Sequence, residues 1–412
     1  MPAVGKLDEG PFQPEHALVA EDPKNWRPET RLVRGGTHRS PFGETSEALF
    51  LTQGYVYESA DVAEARFKGE APGFVYSRYA NPTNRMFEER LALLEGAEAC
   101  RSTASGMAAV HLALMGLLRA GDHFVAGRAM FGSCRWIAAQ WLPRFGVETT
   151  LVDGRDIEAW RSAMRPNTKA VFMETPANPL LEMADLKAVA EIAHAVGAKV
   201  VVDNVFASPI FQKPLELGAD IVVYSATKHI DGQGRVLGGA VLGEAQLLDD
   251  AYRDIIRHTG PTLSAFNAWV MLKGLETLDL RVRRQAETAI KLCELFDSHK
   301  AVRRLLYPHH PSHPQYELAK RQMSGGGTVV ALDLGSKDAA FNMLNALEIV
   351  DISNNLADAK SMITHPSTTT HRSLTEEERQ SLGLTEGWVR LSVGLEAAED
   401  LERDLSRALD RA

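Results

Sequence analysis

The chain has 412 residues, 45% hydrophobic and 24% charged, with 54 acidic against 45 basic side chains and a formal net charge of −9. That length is enough for two or three domains around a large core, and the acidic balance excludes nucleic acid or an anionic membrane as the expected partner. The three cysteines, Cys100, Cys134 and Cys293, are widely spaced, form no C-x-x-C or metal-ligand pattern, and fit a reducing cytoplasm better than a disulfide framework.

Residues 1–80 read as an extended N-terminal arm, rich in Pro, Gly and polar residues and short of helical periodicity. Its first stretch, Met1–Arg31, mixes Pro with charge and has no apolar centre, so it is not expected to be a signal peptide. An arm this long cannot bury itself and is expected to lie on a partner subunit; the other reading is a partly disordered terminus. Residues 81–279 then alternate two patterns. Met86–Leu94 is helical, and Gly106–Leu118 is helical and ends at Gly121. Met107–Leu118 is the longest apolar stretch, but His111 interrupts it and it is too short to span a bilayer. Short apolar runs follow at His123–Ala126, Val147–Val152, Ala170–Glu174, Val200–Asp203, Ile221–Ser225 and Gly239–Leu242, with helical segments such as Asp185–Val196 between them. This alternation predicts a mainly parallel sheet with helices on both faces. Residues 280–412 begin with a charged helix, Leu280–Ser298. Strands at Thr328–Leu334 and Trp388–Val393 and helices at Asp338–Leu347 and Ala398–Leu409 follow, which predicts a smaller α+β domain.

Two of the predicted strands end in reactive side chains. Lys199-Val200-Val201-Val202 stops at Asp203, and Asp220–Tyr224 runs into Ser225-Ala226-Thr227-Lys228. Ligands of parallel sheets bind beyond the carboxyl ends of strands, which is where both fall. A carboxylate there, beside a lysine flanked by hydroxyls, is the set that a pyridoxal 5'-phosphate (PLP) site requires: an amine for the Schiff base and an acid for the pyridinium nitrogen. A lysine after a strand is, on its own, an ordinary solvated loop residue.

The run Ser102-Thr103-Ala104-Ser105-Gly106-Met107 opens a helix, where free N–H groups and the dipole favour a phosphate; it also reads as plain N-capping by Ser105. It is not a P-loop, since no Gly-Lys-Ser/Thr follows, and Gly325-Gly326-Gly327 lacks the strand–turn–helix setting of a nucleotide loop. Tyr76 and Arg78, two residues apart in an extended segment, point the same way and can clamp a phosphate; the alternative is a solvated Arg beside a packed Tyr. His309-His310-Pro311-Ser312-His313 reads as a loop rather than a metal site, so no metal is expected. Cys134 reads as a small buried hydrophobe.

Taken together and in order, six features resemble the Cys/Met-metabolism PLP enzymes: Tyr-x-Arg-x-x-Asn-Pro-Thr at Tyr76–Thr83, Ser-Gly-Met at Ser105–Met107, Pro-Ala-Asn-Pro at Pro176–Pro179, Asp203, Ser-Ala-Thr-Lys at Ser225–Lys228, and Val-Arg-Leu-Ser-Val-Gly-Leu-Glu at Val389–Glu396. The resemblance runs from about residue 35 to the end of the chain. It implies the fold-type-I, aspartate aminotransferase-like architecture: a large α/β domain with a mostly parallel sheet and a smaller α+β C-terminal domain. A homotetramer built from tight dimers is implied with it. By the same resemblance Lys228 is the Schiff-base lysine and proton shuttle, and Asp203 is the pyridinium partner. Ser105, Gly106, Met107, Ser225 and Thr227 line the phosphate, and Asn178 reaches the phenolic oxygen. Arg390 is the fork for the substrate α-carboxylate, with Asn355 beside it. Tyr76 and Arg78 reach the phosphate of the neighbouring subunit.

Departures from the family narrow the expectation. Phe131 stands where most members place a ring-stacking Tyr, so stacking is kept without a hydroxyl and more falls on Lys228. Ser133 replaces the Cys of methionine γ-lyases, and Arg257-His258 replaces their Lys-Asp pair. Ile352-Ser353-Asn354-Asn355-Leu356 replaces a common Ser-Leu-Gly. With Thr364-His365-Pro366, this pattern is most similar to the O-succinylhomoserine sulfhydrylases. It implies a cytoplasmic transferase that makes homocysteine from a homoserine ester and sulfide. Cystathionine γ-synthase, an O-acetylhomoserine sulfhydrylase, a γ-lyase and a non-catalytic scaffold are the readings that remain beside it.

Overall fold

A computed structural model describes residues 22–412; the first 21 residues of the predicted arm, and with them most of Met1–Arg31, lie outside the described residues. The larger of two sheets has seven strands: β1 (Ala99–Thr103), β2 (His123–Gly127), β3 (Glu148–Val152), β4 (Thr168–Glu174), β5 (Lys199–Asp203), β6 (Ile221–Tyr224) and β7 (Gly239–Gly243). Their order across the sheet is β1-β7-β6-β5-β4-β2-β3. Strands β6, β5, β4, β2 and β3 are parallel neighbours, and only β7 runs against its neighbours, β6 and β1. Strands β2, β6 and β7 are buried along their whole length. Helices cover both faces, which explains why these strands read as continuous apolar runs rather than alternating ones.

The predicted α/β alternation is present, with differences that have local causes. Strand β1 escaped the sequence reading because Arg101 and Ser102 interrupt its apolar pattern; it pairs with β7, far along the chain. Two helices, Ala245–Thr259 and Ala265–Leu275, also follow β7 unread. The arm is not wholly extended, which corrects the reading of residues 22–80. Pro28–Arg34 and Ala60–Lys68 are helices. The first starts on Pro28. The second is capped by the Ser59 hydroxyl, which accepts the Val62 N–H at 3.2 Å, and stops at Gly69 with φ +74°. Such start and stop signals define one or two turns too short to show periodicity.

The second sheet has order β10-β11-β12-β9-β8, from β8 (Arg304–Leu306), β9 (Val329–Asp333), β10 (Asp351–Ile352), β11 (Met362–Thr364) and β12 (Trp388–Ser392). Helices Leu278–Ser298, Lys337–Asn345 and Ala398–Leu409 pack on it around Leu292, Phe296, Leu332, Met343, Val389 and Leu405. Among the described residues no helix is long and apolar enough to cross a membrane, and no cluster of side chains could hold a metal ion.

A buried ion network fastens the arm to this body. Glu47 pairs with Arg90 of helix Pro82–Glu95 and, at 2.8 Å, with Lys273 of helix Ala265–Leu275. Arg90 also donates to the Gly35 carbonyl at 2.7 Å. Asn81 caps the same helix, its Oδ1 accepting the Thr83 N–H at 2.9 Å while its Nδ2 holds the Phe50 carbonyl at 3.0 Å. The segment that carries Tyr76 and Arg78 therefore enters the fold at a fixed angle. Glu47→Ala removes the near carboxylate from buried Arg90 and leaves it only Glu276, at 3.8 Å, and is expected to cost about 3 kcal/mol in chemical denaturation. Burial pushes the Glu47 carboxyl up, but Lys273 and Arg90 outweigh it and hold the group at about 2. Its folded value lies below the ordinary 4.5, so its contribution is full above about pH 4.5 and fades as the pH falls toward 2. Glu47→Gln is expected to flatten that acid limb of the stability curve.

Candidate active site

Strands β4, β5 and β6 run in one direction and deliver their last residues to one edge. Glu174 lies in register with Asp203, and Asp203 with Val223. Past Tyr224 the chain turns through Ser225 to Lys228. The arrangement puts two carboxylates side by side below the lysine turn. Both are buried. Glu174 accepts the main-chain N–H groups of Phe131 and Asn178, each at 2.8 Å, and Asp203 accepts that of Val205 at 3.1 Å. Burial drives both acids upward, and each disfavours ionisation of the other. A cation held against Asp203 would relieve that opposition, and a protonated pyridine nitrogen is such a cation.

Lys228 is half-buried, and its amine donates to Oδ1 of Asn355. Burial, with Arg390 nearby, lowers it from 10.5 to about 8. About a tenth of the amine is thus free base at pH 7 and about half at pH 8, the form that attack on a carbonyl or removal of a proton demands. Arg390 comes from β12, in the other sheet, and is almost fully buried. Its Nη1 donates to Asn178 Oδ1 at 2.6 Å and its Nη2 to the carbonyls of Asn354 and Asn355 at 3.0 and 3.4 Å. Its Nε is buried without a partner. Burial lowers the guanidinium to about 10, with Glu174 pulling the other way. An unsatisfied buried N–H on a guanidinium is costly, and a carboxylate ligand would satisfy it.

The helix opening at Gly106 presents its first-turn N–H groups, the kind of end that favours an anion. Ser105 caps it by accepting the Ala108 N–H at 3.1 Å, so the capping reading holds. The N–H groups of Gly106 and Met107, in the first turn, still have no intrahelical acceptor. A Cβ at Gly106 would lie 2.5 Å from Cβ of Ser225, and one at Gly239 would lie 2.2 Å from the Ser105 carbonyl oxygen. The helix end, the Ser225 turn and the start of β7 are therefore packed closely enough to exclude any side chain at either glycine. Thr227 Oγ1 exchanges hydrogen bonds with Gly238, donating at 3.2 Å and accepting at 3.1 Å, so its proton is already engaged.

The structure thus brings Lys228, Asp203, Asn178, Arg390 and Asn355 together, with Phe131 tied to the same cluster through Glu174. Phe131 is 38% exposed, which leaves its ring open to contact with a ligand. Tyr76 and Arg78 are not part of this cluster within one chain. The Arg78 guanidinium stacks on the Tyr76 and Tyr79 rings at 5.4 and 4.9 Å, and Arg257 lies over Tyr79 at 5.4 Å. Arg78, Tyr79 and Arg257 line a separate cavity of about 640 Å³, whose walls include Asp249 and Arg253 but neither Tyr76 nor Lys228. The sequence reading missed Glu174, although β4 carries the signal used for Asp203, an apolar run stopped by one carboxylate. Acylation of the Lys228 amine in cofactor-free protein, followed by peptide mass mapping, is expected to show a midpoint near pH 8. Gly106→Ala is expected to weaken PLP binding by roughly tenfold or more, read by absorbance titration, because Ser225 must move away from the helix end.

Comparison with known proteins agrees with this geometry. Residues 29–410 match the family described as Cys/Met metabolism PLP-dependent enzyme. The chain is 56% identical over 382 residues to an O-succinylhomoserine sulfhydrylase of Mycobacterium tuberculosis, covering 92% of this chain and 94% of the relative. It is 48% identical, with the same coverage of both chains, to an O-succinylhomoserine sulfhydrylase of Pseudomonas aeruginosa. Among solved structures it is similar, at a TM-score of 0.90 and 30% identity, to a Campylobacter jejuni protein provisionally named O-acetylhomoserine (thiol)-lyase, covering 93% of this chain and 100% of that one; that structure carries N'-pyridoxyl-lysine-5'-monophosphate. A lysine and a buried acid at one sheet edge, met by an arginine from the second sheet, and a family match along nearly the whole chain place the protein in the Cys/Met-metabolism family of PLP-dependent enzymes.

Proposed function

We propose that the enzyme carries out γ-replacement on O-succinyl-L-homoserine with sulfide, giving L-homocysteine and succinate in methionine biosynthesis. The observation that carries this reading is the contact between Lys228 and Asn355. Asn355 stands in the segment that departs from the common Ser-Leu-Gly of the family, and its side chain holds the proposed catalytic amine. The similarity to two O-succinylhomoserine sulfhydrylases supports the same choice of ester.

PLP, bound through Lys228, would supply the electron sink that stabilises charge at the substrate Cα. The protein's own residues do the rest. Arg390 grips the α-carboxylate through the guanidinium edge that now lacks a partner, which fixes the Cα bonds relative to the cofactor plane. Asn178 holds that guanidinium in place. Lys228 takes the Cα proton and, once it has passed that proton on, is free to take one from Cβ, which allows succinate to leave Cγ; hydrogen sulfide then adds at Cγ, and Lys228 returns the protons to Cβ and Cα. Asp203 would keep the cofactor's ring nitrogen protonated, and Phe131 would offer the ring an aromatic contact without a proton to give. Ser105, Gly106, Met107 and Ser225 would hold the phosphate, with Thr227 steadying the turn through Gly238.

Tyr76 and Arg78 belong, on this reading, to the phosphate site of a neighbouring subunit in a homotetramer assembled as a dimer of dimers. Two features support it: Arg78 lines a cavity whose walls do not include Lys228, and Phe42, Leu51 and Val56 are exposed on the anchored arm. The three buried free cysteines support a cytoplasmic setting.

The test is a steady-state assay on PLP-loaded protein with O-succinyl-L-homoserine and either sulfide or cysteine, scoring homocysteine, cystathionine and 2-oxobutanoate. Homocysteine is the expected product. Cystathionine as the main product would make the enzyme a cystathionine γ-synthase, and O-acetyl-L-homoserine as the better ester would make it an acetyl-ester sulfhydrylase. 2-Oxobutanoate formed without either donor would make it a γ-lyase. Lys228→Ala is expected to lower kcat by at least roughly 10²–10⁴-fold. Arg390→Lys should raise KM for the ester about tenfold or more, because a point charge cannot replace the fork.

A further inference from the structure

His229, next to Lys228, has no part in the chemistry above, yet it is 3% exposed and both its ring nitrogens are engaged. Nδ1 lies 3.0 Å from the Val205 carbonyl oxygen and Nε2 lies 2.9 Å from Oγ1 of Thr328. A carbonyl can only accept, so Nδ1 carries the proton and Nε2 accepts from the Thr328 hydroxyl. Burial agrees with a neutral ring, holding it at about 4. The residue's own carbonyl accepts from Arg281 Nη1 at 2.9 Å, which fixes its main chain as well.

Each partner leads to a different part of the site. Val205 donates its N–H to Oδ1 of Asp203 at 3.1 Å, so the main chain that His229 grips is the main chain that tethers the buried acid. Thr328 immediately precedes β9, and its carbonyl accepts the N–H of Val393 at 2.9 Å, the residue that directly follows the strand carrying Arg390. One imidazole, a peptide away from the lysine, thus spans the acid of the first sheet and the arginine strand of the second.

We propose that His229 is a positioning residue that holds Asp203 and the Arg390 strand in fixed relation to Lys228. Its Nδ1 side governs the cofactor, through Val205 and Asp203. Its Nε2 side governs the amino-acid substrate, through Thr328 and β12. The proposal rests on the roles given above to Lys228, Asp203 and Arg390, but not on which homoserine ester is used.

Two isosteric variants separate the two sides. Asn places an amide nitrogen where Nδ1 stands and can donate to the Val205 carbonyl, and Gln places its amide oxygen where Nε2 stands and can accept from the Thr328 hydroxyl. His229→Asn is expected to keep PLP affinity within about twofold of the parent, together with the parental circular-dichroism band of the bound cofactor, while KM for the ester rises about tenfold. His229→Gln is expected to do the reverse: PLP affinity falls about tenfold and the cofactor band changes, with KM less affected. Thr328→Val, which leaves the histidine in place, should repeat the His229→Asn result. If the Asn and Gln variants shift both quantities alike, or if Thr328→Val shifts cofactor affinity and not KM, the proposal is overturned. The same holds if all three keep parental cofactor and substrate constants while melting temperature alone drops, since the histidine then only packs. A fault in the underlying site assignment is read separately: Lys228→Ala that keeps the lysine-linked cofactor absorbance would refute the role of Lys228 itself.

Discussion

Two carboxylates buried side by side at the ends of adjacent parallel strands are the constraint around which this site is organised. Glu174 and Asp203 cannot comfortably ionise together in a dry environment. The fold answers in part with main-chain dipoles: N–H groups from Phe131 and Asn178 for one acid, and from Val205 for the other. Each donor sits at the start of a segment with a further task. Phe131 presents an aromatic ring, Asn178 steadies Arg390, and Val205 meets His229. The electrostatic problem and the positioning of the reactive groups therefore share the same backbone.

Arg390 is the counterpart from the second sheet. A guanidinium is stable in so buried a place only if most of its N–H groups find acceptors, and four of its contacts are of that kind or electrostatic: Asn178, Asn354, Asn355 and the charge of Glu174. The acceptors belong to both halves of the chain. The fork is thus stitched into the cleft between the sheets, and its one unsatisfied edge marks where a carboxylate fits.

Much of this was legible from the chain. Asp203 and Lys228 stand out because each ends or directly follows an apolar strand, and a parallel sheet presents such ends together. Arg390 is visible only through its motif, since a buried arginine in the middle of a strand carries no periodic signal of its own. Glu174 had the same local signature as Asp203 but no motif to draw attention to it. The position of Asn355 could be suspected from a departure in pattern, whereas its contact with Lys228 depends on how the two sheets face each other, which no local rule specifies. Strand β1 and the short arm helices were hidden for a simpler reason: an arginine in an edge strand and helices of one or two turns leave too few residues for a period to show. That Arg78 lines a cavity without the lysine of its own chain is likewise a tertiary fact, although the common direction of Tyr76 and Arg78 is written in their spacing.

Asn355 touches the site twice. Its side chain accepts from the Lys228 amine, and its main-chain carbonyl, with that of Asn354, accepts from Arg390. One short loop therefore reports on both the lysine and the fork. When the amine swings away, the loop loses one of its anchors, and when a carboxylate draws on Arg390 the loop is pulled from its other side. Thermodynamic reciprocity then requires that whatever carboxylate capture does to the freedom of the lysine, release of the lysine does equally to the grip on the carboxylate.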